Sequence, residues 1–267
     1  MIELEKPVKN RLDDGLRISL LGGFIIHQGE NTLGPDCFRL RKACDLVKLL
    51  ALAPRHRLQR DQILEWLWPD HAPETSANSL HQALHFARQV LDALQPPGHI
   101  HFEVDILHFF SNPGLWVDVE AFEAAAIQAS ESQDTTLYQA ALELYNGELL
   151  PENRYDEWVF LRRGNLQQTY LDLLLGQAKL YESNGEYKAA ISAFQRIISV
   201  DPLLEEAHAG LIYSFALSGQ RSQALRQYLL LKDIMQKNYH AEPDPETTRM
   251  HKLILEGKYK ELDSKFI

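Results

Sequence analysis

Cysteine is almost missing from this chain of 267 residues: only Cys37 and Cys44 occur, too few for a disulfide framework, so a reducing compartment, the cytoplasm, is the expected setting. No stretch approaches the ~18 consecutive apolar residues of a membrane-spanning helix, so no membrane partner is expected. The opening "MIELEKPVKNRLDDG" lacks the charged-then-apolar order of a secretion signal. Equally missing are a glycine-rich phosphate loop, a nucleophile motif and carboxylates paired as in a pocket. The chain is therefore read as no enzyme, with no catalytic residue and no cofactor. Positive charge is also short. The 27 Lys and Arg face 37 Asp and Glu, and a formal net charge of −10 argues against indiscriminate nucleic-acid binding, which needs a positive field.

What is present is an ordinary globular composition, 45% hydrophobic and 24% charged, in a chain longer than one common domain. Two domains are expected, residues 1–112 and 113–267. The acidity is uneven: net −2 over the first of these and −8 over the second. Between Asp36 and Arg60 seven bases (Arg39, Arg41, Lys42, Lys48, Arg55, Arg57 and Arg60) outnumber the two acids Asp36 and Asp45, enough for a local basic patch.

In the first half, "LRISLLGGFIIHQGENTLG" reads as two short strands around Gly22 and Gly23. "FRLRKACDLVKLLALAP" sets Leu40, Ala43, Val47 and Leu50 on one helical face and Arg41, Lys42, Asp45 and Lys48 on the other. "LQRDQILEWLWPD" gives a second short helix with Ile63, Trp66 and Leu67 as its apolar side. In "ETSANSLHQALHFARQVLDAL", Leu80, Leu84, Ala87, Leu91 and Leu94 recur at helical spacing and predict a buried face. Rotation by about 200° per two residues puts Asn78, Gln82, His85 and Gln89 opposite, flanked by Ser79, His81 and Arg88. Amides, hydroxyl, imidazole and guanidinium are the groups that read base edges, whereas a merely solvated face is usually rich in Lys and Glu. His81 and His85 also have the four-residue spacing of a helical zinc pair, but no third ligand stands at motif spacing, so no metal site is assigned. "HIHFEVDILHFFSNPGLWVD" predicts a β-hairpin turning near Asp105 and ending at Asn112, Pro113 and Gly114, with His99, His101 and His108 on it. Strands, three helices and a terminal hairpin in that order make a winged helix, whose third helix enters the major groove.

The stretch "RLQRDQILEWLWPDHAPETSANSLHQALHFARQVLDAL" resembles the DNA-binding half of bacterial regulators of the antibiotic regulatory protein (SARP) type. Arg60-Asp61, Leu64, Leu67-Trp68 and the helix from Ala77 to Leu91 match in order and spacing. The departure lies in that helix, where the family tends to carry Ser-Arg-Leu-Arg-Arg and this chain has His85, Phe86, Ala87, Arg88 and Gln89.

The second half reads as nearly all helix, and it repeats. "NGEYKAAISAFQRIISVDP" and "SGQRSQALRQYLLLKDIMQ" align Gly185 with Gly219, Ala190 with Ala224, Ile191 with Leu225 and Phe194 with Tyr228, each pair 34 apart, the tetratricopeptide period. An earlier copy places Ala141, Leu142 and Tyr145 opposite Ala190, Ile191 and Phe194. From Trp116 to about Ile254, blocks such as "YNGELLPENRYDEW", "LRRGNLQQTYL" and "PDPETTRM" are similar to the bacterial transcriptional activator domain. "KNYHAEPDPET" departs where the family commonly has Glu-Leu-Gly, Asn238, Tyr239 and His240 standing there instead.

The expected fold is mainly α: an N-terminal winged helix followed by an all-α tetratricopeptide-like repeat domain. The expected function is sequence-specific regulation of transcription. Double-stranded DNA would be read by Asn78, Ser79, Gln82, His85, Arg88 and Gln89 and held at its phosphates by Arg39, Arg41, Arg57 and Arg60. The helical half would form a homodimer or contact RNA polymerase, which the resemblance implies such proteins recruit. The alternatives are an interaction scaffold with a degenerate winged helix, or the N-terminal regulatory part of a longer protein.

Overall fold

The computed structural model describes residues 15–94, 97–110 and 114–262. The described residues fall into two compact units, the first within residues 1–123 and 144–166 and the second within residues 124–143 and 167–267.

The first unit opens with β1 (Leu16–Ser19), β2 (Ile25–Gln28) and β3 (Asn31–Leu33), one strand more than the sequence predicts. They join β7 (Leu115–Val117) in a sheet ordered β3-β2-β1-β7, with β7 parallel to β1. Alternation puts Leu16 and Ile18 fully inside. Gly22, at φ +85°, is required because a Cβ there would lie 2.8 Å from the carbonyl oxygen of Asn146. Next come α1 (Arg41–Leu52), β4 (Arg57–Gln59), α2 (Arg60–Leu67), α3 (Pro73–Leu91), β5 (Ile100–Glu103) and β6 (Ile106–Phe109). β4, a strand that the sequence does not predict, pairs with the hairpin to give the order β4-β6-β5. The result is a winged helix. Its turn at Val104 and Asp105 has positive φ at both residues, the two-residue hairpin geometry that matches strand twist. Of the predicted break, Asn112 and Pro113 lie outside the described residues.

Two expectations fail here. Asp45 and Lys48 are not on a solvent face; they are 1% and 2% exposed, and α1 is buried from Ala43 to Ala51. Their charge is absorbed by the segment 151–156. Lys48 Nζ donates to Asn153 Oδ1 at 2.6 Å and pairs with Glu152 at 2.9 Å, and Asn153 Nδ2 donates to Asp45 Oδ1 at 2.9 Å. Trp66 also departs from its assigned core position: it is 41% exposed, while Ile63 and Leu67 carry the buried side of α2.

The remaining helices are α4 (Asp118–Ser130), α5 (Thr135–Leu144), α6 (Glu157–Ser183), α7 (Tyr187–Val200), α8 (Glu205–Leu217), α9 (Arg221–Tyr239) and α10 (Pro245–Glu256). In the second unit the 34-residue repeat is visible atom by atom. The Glu186 N–H donates to the Tyr181 carbonyl after α6, and the Gln220 N–H donates to the Phe215 carbonyl after α8. Gly185 and Gly219 are left-handed in the same position of each closure. Ala190 and Ala224 are fully buried, with Phe194 and Tyr228 filling the space beside them. Of the earlier copy, Ala141 and Leu142 are buried in this unit, whereas Tyr145 belongs to the first unit and packs against Phe122. His240 takes the left-handed turn, at φ +52°, where the family commonly has glycine.

Burial pushes the Glu182 carboxyl up to about 7, although the Ser214 hydroxyl donates to it. Between about pH 4.5 and 7 the folded chain therefore keeps a proton that the unfolded chain has released, so stability falls as pH rises through that window. Glu182→Gln is expected to stabilise the chain on the order of 2–3 kcal/mol at pH 8 and hardly at all at pH 4. Paired thermal melts at the two pH values check it.

Candidate nucleic-acid interface

α3 begins with Pro73, whose missing N–H is not needed there, and carries Glu74 in its first turn, where the helix dipole favours an acid. Leu80, Leu84, Ala87 and Leu91 are buried, so the apolar stripe fixes which side of α3 turns outward. Asn78, His81, Gln82, His85 and Gln89 are exposed on that side. Ser79 and Arg88, at the flanks, are half-buried and already engaged. The Ser79 hydroxyl donates to the Thr75 carbonyl at 2.9 Å, and Arg88 Nε donates to the Ile100 carbonyl at 3.1 Å, tying α3 to the wing.

The arginines divide. Arg39 is exposed, with its guanidinium 5.3 Å from the ring centre of Phe86, and His85 meets the same ring edge-on at 5.3 Å. Phe86, in the place of a basic residue of the family pattern, therefore orients one cation and one imidazole beside the exposed stripe. Arg57 on β4 stands in register with His108 of β6, which in turn faces His101 of β5. Alternation turns these three to the side opposite Leu58 and Leu107, which are buried. His101 stacks on Phe110 at 4.5 Å. Arg60 opens α2 beside the wing turn: its N–H donates to the Asp105 carbonyl at 2.8 Å and its guanidinium lies 3.5 Å from Asp61. Arg41 is drawn elsewhere, donating to Asp156 Oδ2 at 2.8 Å with Asp45 a further 3.8 Å neighbour. His99 is buried, its Nδ1 bonded to the Phe110 carbonyl, and burial pushes its pKa below the usual histidine value, so it is a neutral core residue of the wing.

Sequence reasoning missed Phe86 as the hub of Arg39 and His85. The signal was present, since an aromatic one step from the buried Ala87 is poorly placed for the core. It missed as well that Arg88 bridges to the wing, a contact between residues twelve apart that helical periodicity cannot show. Among the described residues no group of three or more His, Cys, Asp or Glu is placed to hold a metal ion, and no helix is long and apolar enough to cross a membrane.

Comparison with known proteins bears on the whole arrangement. No curated protein sequence matches the chain. Among solved structures, EmbR of Mycobacterium tuberculosis, described in complex with a low-affinity phosphopeptide, superposes with a TM-score of 0.78 at 18% identity. The match covers 94% of this chain and 67% of that one. At that identity the likeness establishes the shared fold, a winged helix followed by a helical repeat unit. The bacterial transcriptional activator domain matches residues 117–255, just over half of the sequence. The matched segment supplies residues to both compact units. The chain thus belongs to the bacterial transcriptional activator domain family and is a transcriptional regulator of the SARP type that its sequence resembles.

Proposed function

We propose that the protein activates transcription by binding duplex DNA sequence-specifically through α3 and by engaging RNA polymerase through its activator-domain part. The observation that carries this reading is the exposed stripe of Asn78, Gln82, His85 and Gln89 on the third helix of a winged helix. The three amides each offer a donor and an acceptor, the pair that adenine presents in the major groove. Arg88 and Ser79 flank the stripe, with part of their hydrogen-bonding capacity already spent inside the protein. Arg39, beside Phe86, and Arg57 and Arg60, at the wing, are assigned to phosphates. Arg41 joins them only by exchanging its ion pair with Asp156.

Alanine at Asn78, Gln82 or His85 is expected to cost about 1–3 kcal/mol against the preferred duplex and to relax the preference at one base position. Arg57→Ala should instead weaken all sequences alike and lower the slope of log affinity against log salt by about one. Fluorescence anisotropy with labelled duplexes at several salt concentrations measures both, and an unchanged slope returns Arg57 to the solvated class.

A second reading is supported by the same side chains. With Arg88 and Arg41 engaged internally and a net charge of −10, the winged helix could serve as an interaction scaffold without DNA. Gel shift of a randomised duplex pool separates the two: retarded duplex supports the regulator, and its complete absence at low salt supports the scaffold.

A further inference from the structure

The first unit carries a second concave surface away from the α3 stripe. The end of α2 and the start of α6 line a cavity of about 640 Å³, with Trp66 and Leu67 on one wall and Tyr155, Trp158 and Leu161 on the other. Much of this apolar material is uncovered: Trp66 is 41%, Tyr155 94% and Leu161 76% exposed, and Phe160 beside them is also open. Large aromatic and leucine side chains gathered around a hollow are what protein partners bury at the centre of an interface.

The rim carries three carboxylates, Glu65, Asp156 and Glu157, against one cation, Lys42. Lys42 reaches toward Asp45 at 3.9 Å, and Asp156 is taken by Arg41. Glu65 and Glu157, both exposed, enter no ion pair among the described residues. Glu157 also sits in the first turn of α6, a position where acidic residues complement the helix dipole. The hollow therefore combines an apolar floor with an excess of carboxylate over ammonium, Glu65 and Glu157 being engaged in no ion pair among the described residues. That combination suits a cation next to an apolar anchor and repels an acidic segment or duplex DNA.

We propose that this groove is a docking site for a short segment of a partner polypeptide that presents an aromatic or leucine side chain next to Lys or Arg. The anchor fills the space between Trp66 and Leu161, and the basic residue lies against Glu65 and Glu157. The site is separate from the proposed base-reading face, so it stands or falls independently of DNA binding.

The probe is a fluorescein-labelled peptide with Trp and Leu set between lysines, compared with its counterpart carrying glutamates, titrated with the full chain in an anisotropy measurement. The lysine peptide is expected to bind at least about tenfold more tightly than the glutamate peptide, and Glu65→Lys with Glu157→Lys should reverse that order. Leu161→Asp is the decisive variant. It adds a negative charge that general attraction to an acidic protein would reward, and the exposed position leaves folding intact, which circular dichroism verifies. Loss of lysine-peptide binding in this variant locates the seat in the groove. Binding that persists or strengthens overturns the proposal. So does a wild-type chain that sediments as a dimer while Leu161→Asp sediments as a monomer, because the occupant is then a second copy.

Discussion

Lys48→Ala is expected to cost about 3–5 kcal/mol of folding stability, far more than a helix-surface lysine, because it removes one partner of a buried charge network. Lys48 is 2% exposed, and its ammonium donates to Asn153 Oδ1 while pairing with Glu152. Asn153, itself 1% exposed, passes hydrogen bonds on to Asp45 and Asp156. Without the lysine, Asn153 Oδ1 loses its donor and the buried Asp45 carboxylate, which burial already pushes toward its neutral form, loses the buried cation whose charge favours its ionised form. Lys48→Met restores most of the volume but not the charge, so it should recover only part of the loss. Combining Lys48→Met with Glu152→Gln should cost less than the two changes summed, since each removes the other's partner. Urea unfolding of wild type, Lys48→Ala, Lys48→Met, Glu152→Gln and the double variant gives the values. A loss under about 1 kcal/mol for Lys48→Ala would mean the pair is solvated and the network is not structural.

Gly210→Ala is expected to destabilise the helical unit by about 3 kcal/mol or more, against the ~1 kcal/mol gain that helix propensity alone gives alanine. A Cβ at position 210 would fall 2.1 Å from Phe194 Cζ and within 2.6 Å of its two ring neighbours. Phe194 is fully buried between α7 and α8 and has nowhere to retreat. The same device stands one repeat earlier, where a Cβ on Gly176 would meet the Tyr138 ring at 2.7 Å. Phe194→Leu should be costly alone yet should partly rescue Gly210→Ala by opening the space, a coupling that thermal denaturation of the double variant measures. A neutral or stabilised Gly210→Ala would show that the ring does not occupy that space in solution.

Periodicity made much of this fold legible. The 34-residue spacing of Gly185 and Gly219, of Ala190 and Ala224, and of Phe194 and Tyr228 corresponds to matching helix closures and matching buried positions, because a repeat recovers one packing solution several times. The inward face of α3 was equally legible, since one stripe of leucines admits one orientation. What escaped were the contacts that periodicity cannot encode. Asp45 and Lys48 look like the wet side of an amphipathic helix, and only the return of residues 151–156, more than a hundred positions later, buries them. The Arg163 guanidinium fastens that return, donating to the carbonyls of Leu149, Leu150 and Asn153. A run as apolar as "LVKLLALA" around Lys48 was the available hint that both faces of α1 are covered. Among the proposed site residues, sequence gave the exposed stripe but not the commitments of its neighbours. Arg88 and Arg41 read as free cations until Ile100 and Asp156 are placed beside them.

Selection of bound duplexes from a random pool by the intact chain tests the central claim most directly. Wild-type protein is expected to enrich a defined motif. The triple variant Asn78→Ala, Gln82→Ala, His85→Ala should fold normally and keep only salt-dependent, sequence-indifferent binding, with no motif enriched. Enrichment of the same motif by the triple variant, or of none by the wild type, would contradict the assignment of α3 as the base-reading element.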